Sequence, residues 1–294
     1  MLCRLFGNSR QAWYQHEKRQ YEDRIEVDIL LEVVRSIRSK MPRLGTRKLL
    51  IKIEQKMEKE KHSYLSIGRD ALFNILRDNG MLVRRKKRRI ITTHSLQWMF
   101  KYPNLIKGMS ILGPNKVWVC DITYIETNEG VMYLFLITDA YSHKIVGHCL
   151  ADNMRAENGI IAMKSAIKNS PYPVEGLIHH SDRGTQYCCH DYVSLLGKNK
   201  IDISMTENGD VLENAMAERV NGILKMEWIY ERTFKTKKEA TKYIAEIIKI
   251  YNEERPHSSI DMLTPEQAHQ RTGELKKHWK NYYLINKKKA EMVS

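Results

Sequence analysis

The string VWVCDITYIE, residues 117–126, fixes most of what this 294-residue chain can become, because it sets Asp121 in the middle of β-branched and aromatic residues. Such a run reads as a buried strand, and an ionised carboxylate inside one costs roughly several kcal/mol unless something pairs with it. A divalent cation is a sufficient partner. Two further acids draw notice beside it. Asp182 follows Leu177, Ile178 and the two histidines in HHSDRGTQY, and Glu218 lies in NAMAERVNGILK, with 35 residues between these two carboxylates.

The surrounding pattern says how the acids can meet. After Lys116 come three strand-like runs, VWVCDITYIE, VMYLFLITDAYS and KIVGHCL, whose short connections give an antiparallel meander. A helix is expected from Arg155 to about Lys168, capped by Asn153. A strand in VEGLIHHSD, a helix at Tyr192–Leu196 and a strand at Ile201–Met205 follow. That order builds an α/β core, a mixed five-stranded sheet with helices on both faces. Asp121 and Asp182 converge if their strands are neighbours. Leu212–Asn252 reads as two helices broken at Thr233–Lys237. On the first of them Glu218, Asn221, Gly222 and Lys225 share one face, a side that a nucleic acid backbone can approach closely.

The formal net charge of +14 is entirely N-terminal: residues 1–112 hold 25 Lys or Arg against 11 Asp or Glu, while residues 113–294 hold 24 of each. A polyanion is the natural partner of the first part, since neutralising phosphates releases counterions. Helical periodicity runs through Ile25, Ile29, Leu30, Val33, Val34 and Ile37, then restarts after Thr46, a candidate cap, with Leu49, Leu50 and Ile53 inward. A third helix from Ser66 turns Ala71, Leu72, Ile75 and Leu76 inward and Arg69, Asn74 and Arg77 outward, and Asn79-Gly80 closes it. The arrangement has the form of a helix-turn-helix unit. The run Arg84, Arg85, Lys86, Lys87, Arg88 and Arg89 repels itself, so it is expected to lie extended along phosphates. Residues 90–115, with Pro103, Gly108, Gly113 and Pro114 and little periodicity, read as the linker.

Other classes are excluded or disfavoured. No apolar run approaches the roughly 20 residues of a membrane helix and the N-terminus lacks a secretory core, so a cytoplasmic protein is expected. Five cysteines without CxxC spacing indicate neither a disulfide framework nor a structural zinc site. His179 and His180 either position a phosphate or pack at a strand's end. Arg255 and His257 in NEERPH either contact DNA or lock the core at a helix-ending turn.

Three converged carboxylates supply oxygen ligands of the kind Mg²⁺ takes, with Mn²⁺ as a substitute. Two such ions about 4 Å apart serve an in-line displacement at phosphorus, and no histidine or serine nucleophile is needed.

Read together, WVCDITYI, HHSDRGTQY, the 35-residue gap, NAMAERVNGILK and YNEERPHSSIDMLTPEQA resemble the DDE transposases of bacterial insertion sequences. More narrowly, they resemble the OrfB-type catalytic part of the insertion sequence three family, related to retroviral integrases. CRLFGNSRQAWYQ and RLGTRKLL are similar to that family's N-terminal helical region. The resemblance implies an RNase H-like sheet preceded by a helical DNA-binding region. It implies Asp121, Asp182 and Glu218 as catalytic and metal-binding residues, two Mg²⁺ ions, and Lys225 at a position contacting DNA ends. Three parts are expected: residues 1–112 for DNA binding, 113–272 for the catalytic core and 273–294 as a basic tail.

The resemblance further implies cleavage and strand transfer at terminal inverted repeats, insertion into target DNA, at least a dimer on paired ends, and a nucleoid-associated location. Such elements also commonly encode an upstream-frame product, so this chain is expected to be a partner or part of the active transposase. One departure matters: VLENA stands where an aspartate is usual, which makes Glu213 a rival acid, although its position five residues before Glu218 turns it to another face. The alternatives are a hydrolysis-only nuclease of the same fold and a non-catalytic DNA-binding regulator.

Overall fold

The computed structural model describes residues 10–59, 67–84, 102–207 and 214–278. They fall into two compact units, divided between Lys86 and Lys87. Arg85, Lys86, Lys87, Arg88, Arg89 and Glu213 lie outside the described residues, as does Ser66.

The first unit consists of helices α1 (Arg10–Lys40), α2 (Thr46–Lys59) and α3 (Arg69–Asp78). Leu30, Val34, Leu49, Ile53, Leu72 and Leu76 form its buried interior. The inner stripe of α1 starts at Leu30, and Ile25 is exposed. The reason is length: α1 has 31 residues against 14 and 10 in its neighbours, so at about 1.5 Å per residue they cover only part of it. Ala71 is likewise exposed rather than inward. Thr46 is the first helical residue and not the cap; the Gly45 carbonyl accepts from the amides of Lys48 and Leu49. Helix α3 ends as its sequence indicates, with Gly80 at φ +65° and the Met81 amide returning to the Leu76 carbonyl at 2.7 Å.

The second unit holds a five-stranded sheet in the order β3-β2-β1-β4-β5. Strands β1 (Val117–Thr127), β2 (Gly130–Asp139) and β3 (Ile145–Ala151) are antiparallel neighbours, while β4 (Ile178–Ser181) and β5 (Asp202–Met205) run parallel to β1. Helix α4 (Ala156–Asn169) crosses back from β3 to β4. Helices α5 (Thr185–Cys188) and α6 (His190–Lys198) lead from β4 to β5. Beyond β5 come α7 (Ala215–Glu227), a 3-10 turn at Ile229–Glu231, α8 (Lys237–Glu253) and the short α9 (Pro265–Ala268).

Strand alternation assigns the faces. Trp118 and Cys120 point into a core with Phe135, Ala162, Met163, Tyr192 and Leu196, on the side of α4 and α6. Val117 and Val119 point the other way and pack with Ala217 of α7. Asp121 shares their parity, so the same alternation that buries its neighbours turns it towards α7. Gly147 lets α4 approach β3: a Cβ there would stand 2.5 Å from the Ala162 carbonyl oxygen and 2.7 Å from the Ala166 Cβ.

Two expectations are corrected. Asn153 does not cap α4; Arg155 holds that position without a side-chain bond, and Asn153 Oδ1 accepts from the Arg155 amide in a turn one step earlier. The part of the linker from residue 102 on packs along the sheet edge, where the Pro103 carbonyl accepts from Met205 and Ser204 Oγ accepts from the Leu105 amide. An edge strand leaves outward amides unpaired, and this segment pairs that of Met205. At the other end of the chain, the carbonyl of Gly273 accepts from the Tyr141 hydroxyl and that of Lys276 from the Asp261 amide, so residues up to 278 pack on the core. Among the described residues no helix is long and apolar enough to cross a membrane.

Candidate active site

Strand pairing puts the two aspartates side by side. Cys120 is paired with Ser181 across the parallel β1/β4 ladder, so the next position on each strand is Asp121 and Asp182. Both are half-buried, at the C-terminal end of β4. Asp121 Oδ1 accepts from the Ile122 amide at 2.9 Å, and its Oδ2 accepts from Asn221 Nδ2 at 2.7 Å. Asp182 Oδ1 accepts from the Gly184 amide at 3.1 Å, which bends the chain sharply away from β4.

Glu218 stands on the first turn of α7, exposed, one turn before Asn221. Burial pushes the Asp121 carboxyl up to about 7, and the charges of Asp182 and Glu218 push the same way, against the hydrogen bonds from Asn221 and Ile122. Burial also raises Asp182. Asp121 therefore feels both of the other acids. The three do not close into a cage, for no group of three acid, histidine or cysteine side chains among the described residues stands close enough to hold a metal ion. Burial is the larger cause of the upward shift of Asp121, and repulsion from Asp182 and Glu218 adds to it. The chemistry of the three, oxygen donors on a half-buried floor, fits a hard divalent ion.

Asp139 shows what a purely structural acid looks like in this fold. It is fully buried, and its oxygens accept from the amides of Asn115, Tyr141 and Ser142 and from Ser142 Oγ, at 2.7–3.1 Å. Asp121 has half as many donors and two acidic neighbours.

The remaining candidates separate into groups. Lys225 lies with its Nζ 4.0 Å from the centroid of the Tyr124 ring, and burial lowers its pKa while Asp121 and Glu126 raise it. Arg69 and Arg77 are exposed on α3, held to Asp70 and to Asn74, and the Arg84 carbonyl accepts from Arg43. All three belong to the first unit.

His179 and His180 are interior. His179 Nε2 pairs with the Tyr192 hydroxyl at 3.0 Å, His180 Nδ1 pairs with Ser204 Oγ at 2.9 Å, and both rings are fully buried. Arg255 is equally buried and makes a bidentate pair with Glu227, the last residue of α7. It is a lock of the core.

Asn214 and Arg183 escape a reading of the sequence, and so does the part played by Asn221. Asn214, at the start of α7, donates to the Cys120 carbonyl at 3.2 Å, and Asn221 reaches Asp121 itself. Helical spacing places Asn221 on the Glu218 face, where it looks like a surface amide; its burial at 5% exposure comes only from the packing of α7 on β1. Arg183 likewise ties the turn after Asp182 to the Thr206 carbonyl at 2.6 Å.

Comparison with known proteins follows the same lines. The Integrase core domain family matches residues 112–210, and a second family of that description matches residues 199–265. The chain is 33% identical over 272 residues to the insertion element IS600 uncharacterized 31 kDa protein of Shigella sonnei, covering 90% of this chain and 96% of that one. It is 34% identical over 156 residues to the transposase InsF for insertion sequence IS3A of Escherichia coli strain K12, which spans 53% of this chain and about half, 54%, of that relative. Among solved structures, the HTLV-2 integrase catalytic core domain in complex with magnesium is 18% identical, with a TM-score of 0.43 over 54% of this chain and 99% of that one. With the sheet order, the paired aspartates and near full-length identity to an insertion-element protein in hand, the chain belongs to the IS3-type insertion-sequence transposases built on an integrase core.

Proposed function

We propose that the protein is the DNA transposase of its insertion sequence, cutting and joining DNA strands at the element's ends with divalent metal. The observation that carries this is the placement of Asp121 and Asp182 on neighbouring parallel strands, with Glu218 on a helix bonded to Asp121 through Asn221. In this reading Asp121, Asp182 and Glu218 hold two Mg²⁺ ions, which Mn²⁺ can replace. Bound there, such ions lower the pKa of an attacking water or 3′-hydroxyl and stabilise the leaving oxygen.

The chain's own residues do the rest. Asp121 and Asp182 give a half-buried floor that strengthens charge interactions by limiting water. Lys225, on the Glu218 face, offers its ammonium to a phosphate of the DNA end. The basic first part, with Arg69, Arg77 and the run from Arg84, grips the terminal inverted repeats, and the neutral remainder presents the chemistry to target DNA. Working on paired ends calls for at least a dimer, acting in the cytoplasm at the nucleoid, with an upstream-frame product as a further partner.

The test is Asp121→Asn in the full chain, on a labelled duplex carrying the element's end. Mg²⁺-dependent nicking and end joining should disappear while DNA binding persists. Normal joining by the variant would remove Asp121 from the chemistry, and wild-type ends that are cut but never joined would make the protein a nuclease instead.

A further inference from the structure

Asn221 is a buried amide with an unbalanced set of bonds. Its Nδ2 donates to Asp121 Oδ2 at 2.7 Å, while its Oδ1 is buried without a hydrogen-bond partner among the described residues. Asn252, by contrast, is paired at both ends: its Oδ1 accepts from the Ile145 amide and its Nδ2 donates to the Ile145 carbonyl, each at 2.9 Å, tying α8 to β3. Asn214 is one-ended like Asn221 but gives its Nδ2 to the Cys120 backbone carbonyl, so what sets Asn221 apart is that its partner is a carboxylate. Asn221 leaves one end unsatisfied and spends its other end on a carboxylate. Around it on α7, Val220, Ile223 and Leu224 are buried apolar residues that would hold the helix on the sheet without its help.

We infer that Asn221 is a positioning residue: it fixes the plane of the Asp121 carboxylate and the distance of Glu218 from it, so that both acids are held ready for a divalent cation. The inference rests on reading these acids as cation ligands. With Oδ1 on the Ile122 amide and Oδ2 on Asn221, the Asp121 carboxylate cannot rotate, yet each oxygen keeps a second lone pair for a cation. Glu218 lies three residues before Asn221, so the same bond sets where that acid stands relative to β1. Asn221 itself need not touch the ion. Partners that orient ligating groups in this way change metal affinity by about 10- to 100-fold when removed.

The experiment titrates Mn²⁺ into the full-length protein by calorimetry, without DNA, for wild type, Asn221→Ala, Asn221→Leu and Asn252→Ala, with a thermal melt of each. Wild type should bind Mn²⁺. Both Asn221 variants should bind about 10- to 100-fold more weakly, while Asn252→Ala melts earlier and keeps its Mn²⁺ affinity. Asn221→Leu keeps the side-chain volume should the alanine variant not fold. Equal Mn²⁺ affinity in wild type and folded Asn221 variants overturns the inference and leaves the functional reading standing. Loss of fold in both Asn221 variants, or equal weakening in Asn252→Ala, makes the bond a structural one and also overturns it. No Mn²⁺ binding by wild type sinks the cation reading and this inference together.

Discussion

Replacing Glu227 tests whether the helix that carries Glu218 is locked at its far end by a buried charge pair. Arg255 has no exposed side-chain surface, and it donates to Glu227 through Nε at 2.8 Å and Nη2 at 2.6 Å, with Nη1 turned to the Pro256 carbonyl. Burial alone would lower the guanidinium pKa, and Glu227 more than offsets it. Glu227→Gln keeps the shape and removes the charge, which strands a cation in the core. Breaking a buried pair in this way costs about 3–5 kcal/mol, against a total stability of roughly 5–15 kcal/mol. For a unit of this size that is a fall in melting temperature of about 10 °C.

Replacing both partners by apolar residues, Glu227→Leu with Arg255→Met, removes the stranded charge and should recover at least about 2 kcal/mol relative to Glu227→Gln. Urea unfolding of the full-length variants, followed by near-ultraviolet circular dichroism, gives the numbers. A loss below about 1 kcal/mol for Glu227→Gln would mean that water reaches Arg255, and a double variant that loses the sum of the singles would mean the two residues act independently. Either result would refute the lock.

Acid stability should depend on His143. Burial lowers its pKa to about 4 from 6.5, and the positive charges of Arg255, Lys277 and Arg219 act in the same direction. The unfolded chain therefore takes up the proton first, so stability present above pH 6.5 is lost as pH falls towards 4, by up to about 3 kcal/mol for this group. His143→Asn, tolerated at φ +63°, should lower the slope of stability against pH in that window; an unchanged slope would mean that the ring is open to solvent. Changing all six residues of the run from Arg84 to Arg89 to glutamine should weaken binding to DNA of any sequence and flatten its salt dependence. An unchanged salt slope would place the phosphate contacts elsewhere.

How much of this was legible in the sequence depends on the range of the signal. The β-branched and aromatic residues of 117–126 gave β1, though not its faces, and the short connections after it gave the β1-β2-β3 meander. That Asp121 and Asp182 are neighbours was only a possibility in the sequence, since a mixed sheet allows the first and fourth strands to pair without requiring it, and the parallel β1/β4 ladder realises it. What failed were features made by packing rather than period. Residues 102–115 looked like a linker because their contacts to β5 are irregular and leave no pattern. His179 and His180 could be read either as positioning a phosphate or as packing, because consecutive strand residues face opposite ways and the sequence does not say that both faces are interior.

Asn221 is the instructive failure. Its spacing from Glu218 was plain, but a helical wheel cannot say which face meets a sheet, and an amide near acids reads as surface until β1 is laid against it. The contrast between Asp139 and Asp121 carries the same lesson further. Both are acids in or beside apolar strand residues, and a sequence gives no means of ranking them. The structure does: Asp139 accepts four hydrogen bonds and is saturated, whereas Asp121 accepts two, and its burial, with two neighbouring carboxylates adding to it, raises its proton affinity. A saturated acid serves its fold. On the reading proposed above, an acid held in plane with few donors is arranged for a cation, and the residue doing the holding is carried by the same helix as the third acid. The placement of α7 on β1 is thus the point on which the chemistry turns, which is why its two asparagine bonds and its buried ion pair matter as much as the carboxylates.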